Sequence, residues 1–313
     1  MALAVNQANA VSRKWYDKNM YQQVYDEDPF LAILKGKNKI SPTGGTQLQW
    51  GVRTSKLGQT EMVGAREQLP ITSVDTRTGA VLSWGYIAAR TMMHWDEKVQ
   101  NSGPEAVVNL LGDKAKELSE DFSEKLSTII WGTDSTHVSP IPNIVDSALA
   151  YGGIAVSDAS EWASTEDSST TILTLFGAGS LTYMRNQASF GKNLPTHHFT
   201  TRDLVSKYMS RLQPQQRYES DQKTVDMGFD NCLFFGKPVI GNPFISAGDW
   251  YGLDMDAFAL AVKKGEGEKV TDWFGLEQVG FPNAMAKFMT SVFNIKCDRR
   301  KTSFKFTALD YTL

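Results

Sequence analysis

Apolar positions along the chain fall into stretches of different period. Residues 46–54, TQLQWGVRT, place Leu48, Trp50 and Val52 on one face, the period of a strand. Residues 80–91, AVLSWGYIAART, alternate Leu82, Trp84 and Tyr86 in the same way. Between them, residues 56–77 are polar and charged, with little apolar periodicity. Unstructured connections beyond about 12–15 residues are uncommon in compact domains. The pair therefore predicts a projecting hairpin with a long polar tip. A lone hairpin is marginal in water, so it needs a surface to lie on, and another copy of the chain is the obvious candidate.

The next pattern has the helical period. Val107, Leu111, Ala115, Leu118, Phe122, Leu126 and Ile129 form one narrow stripe. Ser102 and Glu105 stand at capping-box spacing, Pro104 suits a first turn, and Gly132 supplies a stop. This predicts a helix over 103–131, a rod of about 43 Å, whose stripe backs a sheet. Lys116–Glu120 and Asp121–Lys125 offer i,i+4 pairs on its exposed side. A shorter helix is predicted from Pro29, with Phe30, Leu31, Ile33 and Leu34 behind it. Ile172, Leu175, Phe176, Leu181 and Met184 suggest another within 168–191. Residues 195–213 read as a strand running into a helix capped at Thr200 or Thr201. Residues 230–243 read as strand, turn and strand, and 250–262 as a strand pair. Residues 285–300 and 301–309 alternate like two antiparallel strands. The elements are segregated rather than repeating as strand-helix-strand units, which is an α+β order.

Composition narrows the function classes. The chain has 313 residues and a formal charge of −3, so one large or two intertwined domains are expected without a dominant basic surface. Arg299-Arg300-Lys301 reads as a solvated strand end. Cys232 and Cys297 sit among apolar residues and read as buried thiols, with no metal spacing. The N-terminal stretch has no secretory pattern and no run approaches a membrane span, so cytosolic synthesis is expected. His197 and His198 point to opposite faces of a regular strand and cannot share one metal. Asp254 and Asp256 flank no partner base and read as a solvated strand face or turn. Each Gly-Lys pair is followed by Asn or Pro, so no phosphate loop exists, and Gly177–Ser180 does not match a nucleophile elbow. No catalytic residue, cofactor or metal is assigned. Eight tryptophans with few interleaved basic residues suit protein interfaces better than nucleic-acid stacking.

One conspicuous stretch, YGGIAVSDASEW at 151–162, has the glycines of a site and none of its chemistry. Together with several others it carries a resemblance. Asp28-Pro29-Phe30-Leu31-Ala32, the lysine-rich run Lys35 to Gly45, and Tyr151 to Ile154 followed by Trp162 are similar to segments of tailed-phage major capsid proteins with the Hong Kong 97-like fold. Leu212 to Tyr218, Gly228-Phe229 and Leu233 to Pro243 resemble later segments of the same family. The chain differs in placing Ala155-Val156-Ser157 where many relatives continue with Asp-Arg-Ser.

The resemblance implies an N-terminal arm and first helix over 1–43 and an extended E-loop over 44–93. It implies a peripheral (P) domain over 94–154 carrying a spine helix of about 103–131, and an axial (A) domain over 155–275. Strands over 276–313 would mostly return to the P domain. It further implies a non-enzymatic subunit that self-assembles as hexamers and pentamers of an icosahedral head around double-stranded DNA, held without sequence specificity. A portal, a scaffolding protein and a decoration protein are the implied partners, with assembly in the host cytoplasm, residence in the virion and no membrane. No long N-terminal extension reads as fused scaffold, so the scaffold is expected to be separate or removed. Glu61, Arg66 and Glu67 at the E-loop tip are candidate inter-subunit ion-pair partners. Gly152 and Gly153 would permit a sharp architectural turn, with Trp162 packing the corner. An encapsulin-like shell shares the fold and would need a cargo enzyme. An α+β enzyme would show a pocket with converging polar groups.

Overall fold

The computed structural model describes residues 27–37, 39–64, 72–94, 96–97, 110–212, 231–276 and 281–312. The chain forms two compact units. One comprises Met1–Glu27, Tyr86–Thr128 and Lys264–Val292; the other comprises Asp28–Gly85, Ile129–Lys263 and Phe293–Leu313. The proposed capping box at Ser102, Pro104 and Glu105 lies outside the described residues, as do residues 213–218 and Gly228-Phe229.

The larger unit begins with helix α1 (Pro29–Gly36), and three strands follow: β1 (Ile40–Thr43), β2 (Leu48–Arg53) and β3 (Arg77–Leu82). β2 and β3 pair antiparallel from Leu48↔Leu82 to Arg53↔Arg77. They are the predicted hairpin. The expected continuation through Trp84 to Tyr86 is broken. Ser83 gives its carbonyl to Asn294 Nδ2 at 2.7 Å. A Cβ on Gly85 would lie 2.2 Å from Val138 Cγ2 and 2.9 Å from the His137 carbonyl. The chain therefore changes direction here, and Tyr86 emerges exposed while Trp84 is buried.

The core of this unit is a six-stranded mixed sheet. It is built from β5 (Thr165–Asp167), β6 (His197–Thr200), β7 (Asn231–Phe234), β8 (Lys237–Gly241), β9 (Trp250–Leu253) and β14 (Phe304–Phe306), in the order β5-β14-β9-β6-β8-β7. Both of its faces are covered. On one, α4 (Leu181–Gln187) and α5 (Arg202–Leu212) join a cluster that includes Leu181, Met184, Leu204, Tyr208, Phe234, Trp250, Phe304 and Phe306. On the other, Phe30 of α1 makes edge contacts with Trp131 and Phe199 at 5.7 and 5.9 Å, and Trp131 packs on Tyr251 at 5.4 Å. Period-two alternation of side chains generates this division. A short helix α3 (Ile141–Ile144) lies between Gly132 and the conspicuous glycine turn.

Strand β10 (Phe258–Lys263) pairs parallel with β1 and antiparallel with the end of β13 (Phe281–Cys297). The sequence reads 250–262 as a strand pair and 285–300 with 301–309 as two antiparallel strands. Instead β9 and β14 pair with each other, and β10 with β13. Both expected partnerships were between neighbours in sequence, whereas the observed ones are non-local. The helix expected within 168–191 shrinks to α4. Asp167 Oδ1 accepts from the amides of Ser169 and Thr170 at 2.8 and 3.0 Å, a local bond that competes with helix. Gly177 and Gly179 then adopt φ of 110° and 68°. Ile172 and Phe176 stay exposed.

In the smaller unit, β4 (Gly85–His94) and β13 form a sheet with β11 (Lys269–Val270) and β12 (Phe274–Leu276). The chain passes between the units within β4, β13 and helix α2 (Leu110–Trp131). Leu118, Phe122, Leu126 and Ile130 are buried along α2, so the stripe keeps a spacing of four and ends on Ile130 rather than Ile129. Lys116 and Glu120 form the expected exposed pair at 3.6 Å.

Gly252 is a packing requirement of the larger sheet. It lies between Phe304 and His198 in register, and a Cβ there would be 2.3 Å from Phe304 Cε1. Gly252→Ala is expected to lower unfolding stability by about 1–3 kcal/mol, the usual cost of overpacking, in a urea titration followed by tryptophan fluorescence. An unchanged midpoint would mean that the Phe304 ring moves freely aside.

Candidate assembly site

The stretch beginning at Tyr151 is a two-residue reverse turn. Tyr151 and Ile154 exchange backbone hydrogen bonds of 3.2 Å in both directions, while Gly152 and Gly153 take φ of 64° and 73°. Two consecutive positive φ values favour glycine at both positions. Gly152 has a second constraint: its Cβ would stand 2.9 Å from that of Ala80 on β3. That closeness lets Val81 N donate to Gly152 O at 2.9 Å. The turn is thereby bonded to the root of the hairpin, and Trp50 of β2 packs on Tyr151 with ring centroids 6.0 Å apart.

Tyr151 is the hub of this corner. Its hydroxyl donates to Ile295 O at 2.9 Å and accepts from Cys297 N at 2.8 Å. Burial, with the Cys297 thiol next, pushes the phenol well above its ordinary value. Trp162 stacks on Tyr151 at 6.1 Å, and its Nε1 donates to the Tyr151 carbonyl at 3.2 Å. The Arg300 guanidinium lies 5.5 Å from the Tyr151 ring and 6.0 Å from the Trp162 ring. It donates to the carbonyls of Ile144, Asp146 and Leu149 at 2.7, 2.9 and 3.1 Å. Arg300 is fully buried, which corrects its assignment to a solvated strand end. The three carbonyls that turn toward it offset part of the cost of burying the charge.

Beyond its root, the described residues of the hairpin are tied across by isolated bonds such as these: Thr54 N bonds Thr76 O at 3.0 Å, and Gln59 Nε2 bonds Thr72 Oγ1 at 2.6 Å. Leu57, Met62, Val63 and Val74 are exposed, and Met62 is fully so. Glu61 is also exposed; Arg66 and Glu67 lie outside the described residues. The sequence reading singled out the charges and overlooked these four apolar side chains, whose signal was their presence in a stretch otherwise polar. A second exposed group lies around α4. Phe176 and Phe235 meet edge-on at 6.5 Å, with the Arg185 guanidinium 4.8 Å from the Phe235 ring. Phe235 has φ of 49°, a conformation unfavourable for a bulky residue.

Among the described residues, the candidates for chemistry lie apart. His198 is buried and accepts from Trp250 Nε1 at 3.4 Å; burial pushes its pKa down to about 3, so it is neutral. His197 is half-buried and stacks on Phe199, on the opposite face. Asp254 is buried and bonds Arg299 and Thr302 at 3.1 and 3.0 Å, so it is not the solvated carboxylate expected. Asp254 follows the fully buried strand β9, and its carboxylate meets the partly exposed Arg299. Burial pushes the Cys232 and Cys297 thiols up to about 12, which leaves neither a nucleophile. Among the described residues no His, Cys, Asp or Glu group could hold a metal, and no helix is long and apolar enough to cross a membrane.

Asp28 was missed as a titrating group. It caps α1 through Phe30 N at 3.0 Å and accepts from Asn242 Nδ2 at 2.7 Å and Trp131 Nε1 at 3.1 Å. Burial raises its carboxyl to about 7, against the opposing pull of those three donors. Its folded pKa exceeds the unfolded value, so its contribution is full below about 4 and is lost as pH rises toward 7 and beyond. Between pH 5 and 8 this amounts to about 2–3 kcal/mol. Asp28→Asn should be less stable than the parent at pH 5, with the gap narrowing at pH 8, in denaturant titrations at both pH values. For the turn, Gly152→Ala should cost about 1–2 kcal/mol and speed hydrogen exchange at the Val81 amide. Exchange at the parental rate would show that the hairpin root is held elsewhere.

No family model matches the chain, and no curated protein sequence does. Solved structures do. A chain of the cyanophage A-1(L) capsid asymmetric unit aligns with a TM-score of 0.71 at 15% identity, covering 96% of this chain and 99% of that one. A chain from Mycobacterium phage Bobi aligns with a TM-score of 0.60 at 13% identity, over 99% of both chains. A chain from the capsid of a native GTA particle gives 0.60 at 10% identity, again over 99% of both. Identities this low establish likeness of fold. The chain has the α+β Hong Kong 97-like fold of tailed-phage major capsid proteins.

Proposed function

We propose that this chain is a structural major capsid protein, without enzymatic activity, that assembles as hexamers and pentamers into an icosahedral head around double-stranded DNA. The observation that carries the proposal is the end-to-end alignment with a cyanophage capsid subunit, 96% of one chain on 99% of the other. A match confined to one domain would be compatible with many activities; this one spans nearly the whole chain.

The hairpin supplies the physical mechanism. Its root is fixed by the Tyr151–Ile154 turn, with Gly152, Gly153 and Trp162 in architectural roles. Its tip presents Leu57, Met62, Val63 and Val74 to solvent. Apolar side chains on such an extension gain from burial against a neighbouring subunit, at about 25 cal/mol per Å² removed from water. Glu61, Arg66 and Glu67 add exposed ion pairs of about 0–1 kcal/mol each. Weak contacts repeated around a closed lattice give a stable shell through avidity. In this reading 44–93 is the E-loop, 94–154 the peripheral domain with its spine helix at about 103–131, and 155–275 the axial domain, which surrounds the symmetry axes. The arm over 1–43 reaches a neighbour, and 276–313 mostly returns to the peripheral domain. A scaffolding protein guides closure, a portal occupies one vertex and a decoration protein covers the outside. Assembly takes place in the host cytoplasm. The charge of −3 leaves packaged DNA unbound by sequence and free to leave.

Electron microscopy and light scattering of the purified chain, alone and with phage lysate supplying scaffold, test the assignment. Closed shells, tubes or hexamer rings are expected; a monomer or dimer under both conditions would overturn it. Deleting residues 58–72 should leave a folded subunit, by circular dichroism, that fails to form stable shells. Normal shells from that deletion would refute the E-loop role while leaving the capsid assignment intact.

A further inference from the structure

Lys305 occupies the middle of β14, paired in register with Glu166 of β5 on one side and Tyr251 of β9 on the other. Its side chain is only 7% exposed. Nζ lies 2.8 Å from Asp146 Oδ2, 3.1 Å from Glu166 Oε1 and 3.1 Å from the Pro142 carbonyl. The other Asp146 oxygen, Oδ1, accepts from the backbone amides of Ala148 and Leu149, both at 2.8 Å. Glu166 Oε2 is held by Ser147 N and Oγ at 3.2 and 3.1 Å, which aims Oε1 at the amine.

We propose that Lys305 and Asp146 join in an intrachain amide bond, with Glu166 carrying the proton. Each component of an acyl transfer is present. The amine is held 2.8 Å from an oxygen of the carboxyl group it would attack, the kind of positioning a near-attack arrangement requires. Two backbone N–H groups already point at the oxygen that becomes the oxyanion. A second carboxylate touches the nucleophilic nitrogen as general base. The Lys305 side chain is 7% exposed, with Asp146 at 14% and Glu166 at 19%.

The resting pair is ionic. Burial pushes the Asp146 carboxyl up, but the Lys305 hydrogen bond and the two amides outweigh it and hold the group low. Reaction therefore starts with one proton passing from Nζ to Oδ2, giving a neutral amine and a neutral acid. Nζ then attacks Cγ. The C=O pair moves onto Oδ1, where the Ala148 and Leu149 amides stabilise it. Glu166 takes a proton from the attacking nitrogen and returns it to the departing Oδ2. The C–Oδ2 bond breaks, one water leaves and an amide remains. Nothing is oxidised or reduced. Because the neutral pair is the minor form, the bond accumulates after folding.

The link would tie β14 to a loop 159 residues earlier in the chain, closing that long loop in the unfolded state as a disulfide would. It lies within the larger unit, so the proposal does not depend on shell assembly. The test is mass spectrometry of the folded full-length chain, fresh and after a week at room temperature, denatured only for measurement. The expected result is a chain lighter by one water, with a branched tryptic peptide joining the segments that carry Asp146 and Lys305. Glu166→Gln and Lys305→Arg should keep full mass. An ion pair with a purely structural role would leave the mass unchanged in all three. Full mass in the folded parent at both times overturns the proposal even if the variants fail to fold. Loss of water without the branched peptide, as from an Asp146 imide, overturns it as well.

Discussion

The burial of one cation organises the larger unit. Arg300 has no contact with solvent, and a guanidinium out of water needs acceptors. The loop after α3 supplies them by turning the carbonyls of Ile144, Asp146 and Leu149 toward it. The two ring faces of Tyr151 and Trp162 complete the surroundings. Once that loop is bent around Arg300, the direction of the chain entering Tyr151 is set. The glycine turn can then meet β3, and the Asp146 side chain is delivered to Lys305.

The same arrangement explains how a marginal hairpin is held at one end and left open at the other. Its root is bonded by Val81 to the turn, stacked by Trp50 on Tyr151, and covered by the Lys296 ammonium 5.4 Å from the Trp50 ring. Beyond the root, Leu57, Met62, Val63 and Val74 are exposed. A fixed root with exposed apolar side chains beyond it suits an extension that completes its packing on another molecule. In the proposed shell, the glycine turn sets the angle of that extension without contacting the neighbour itself.

Charge placement follows one logic throughout this unit. Arg300 is matched by carbonyls, Lys305 by two carboxylates, and Asp254 by Arg299 and Thr302. Asp28 is matched by the neutral donors Phe30 N, Trp131 Nε1 and Asn242 Nδ2. That difference is why burial leaves Asp28 near neutrality while Asp146, beside a lysine, stays low.

Local periodicity determined much of the chain by itself. The strands at Leu48–Arg53 and Arg77–Leu82, the α2 stripe through Leu118, Phe122 and Leu126, and the α1 start at Pro29 are each announced by the spacing of side chains within their own segment, so their patterns are written locally. The glycines at 152 and 153 announced a turn for the same reason, since positive φ is a property of the residue. What only the tertiary structure decided was partnership. Nothing near Phe304–Phe306 says that it pairs with Trp250–Leu253 and Thr165–Asp167, because register between distant strands is selected by the packing of both sheet faces. Nothing near Arg300 separates it from its exposed neighbours, because its acceptors lie about 150 residues earlier. The strand expected through Trp84 and Tyr86 was broken by Val138 and Asn294, and Ile172 and Phe176 lost their helix to Asp167 and two left-handed glycines. Sequence thus set the elements and the turn, while the folded chain chose which strands meet, which charges are buried and which apolar side chains remain for a partner.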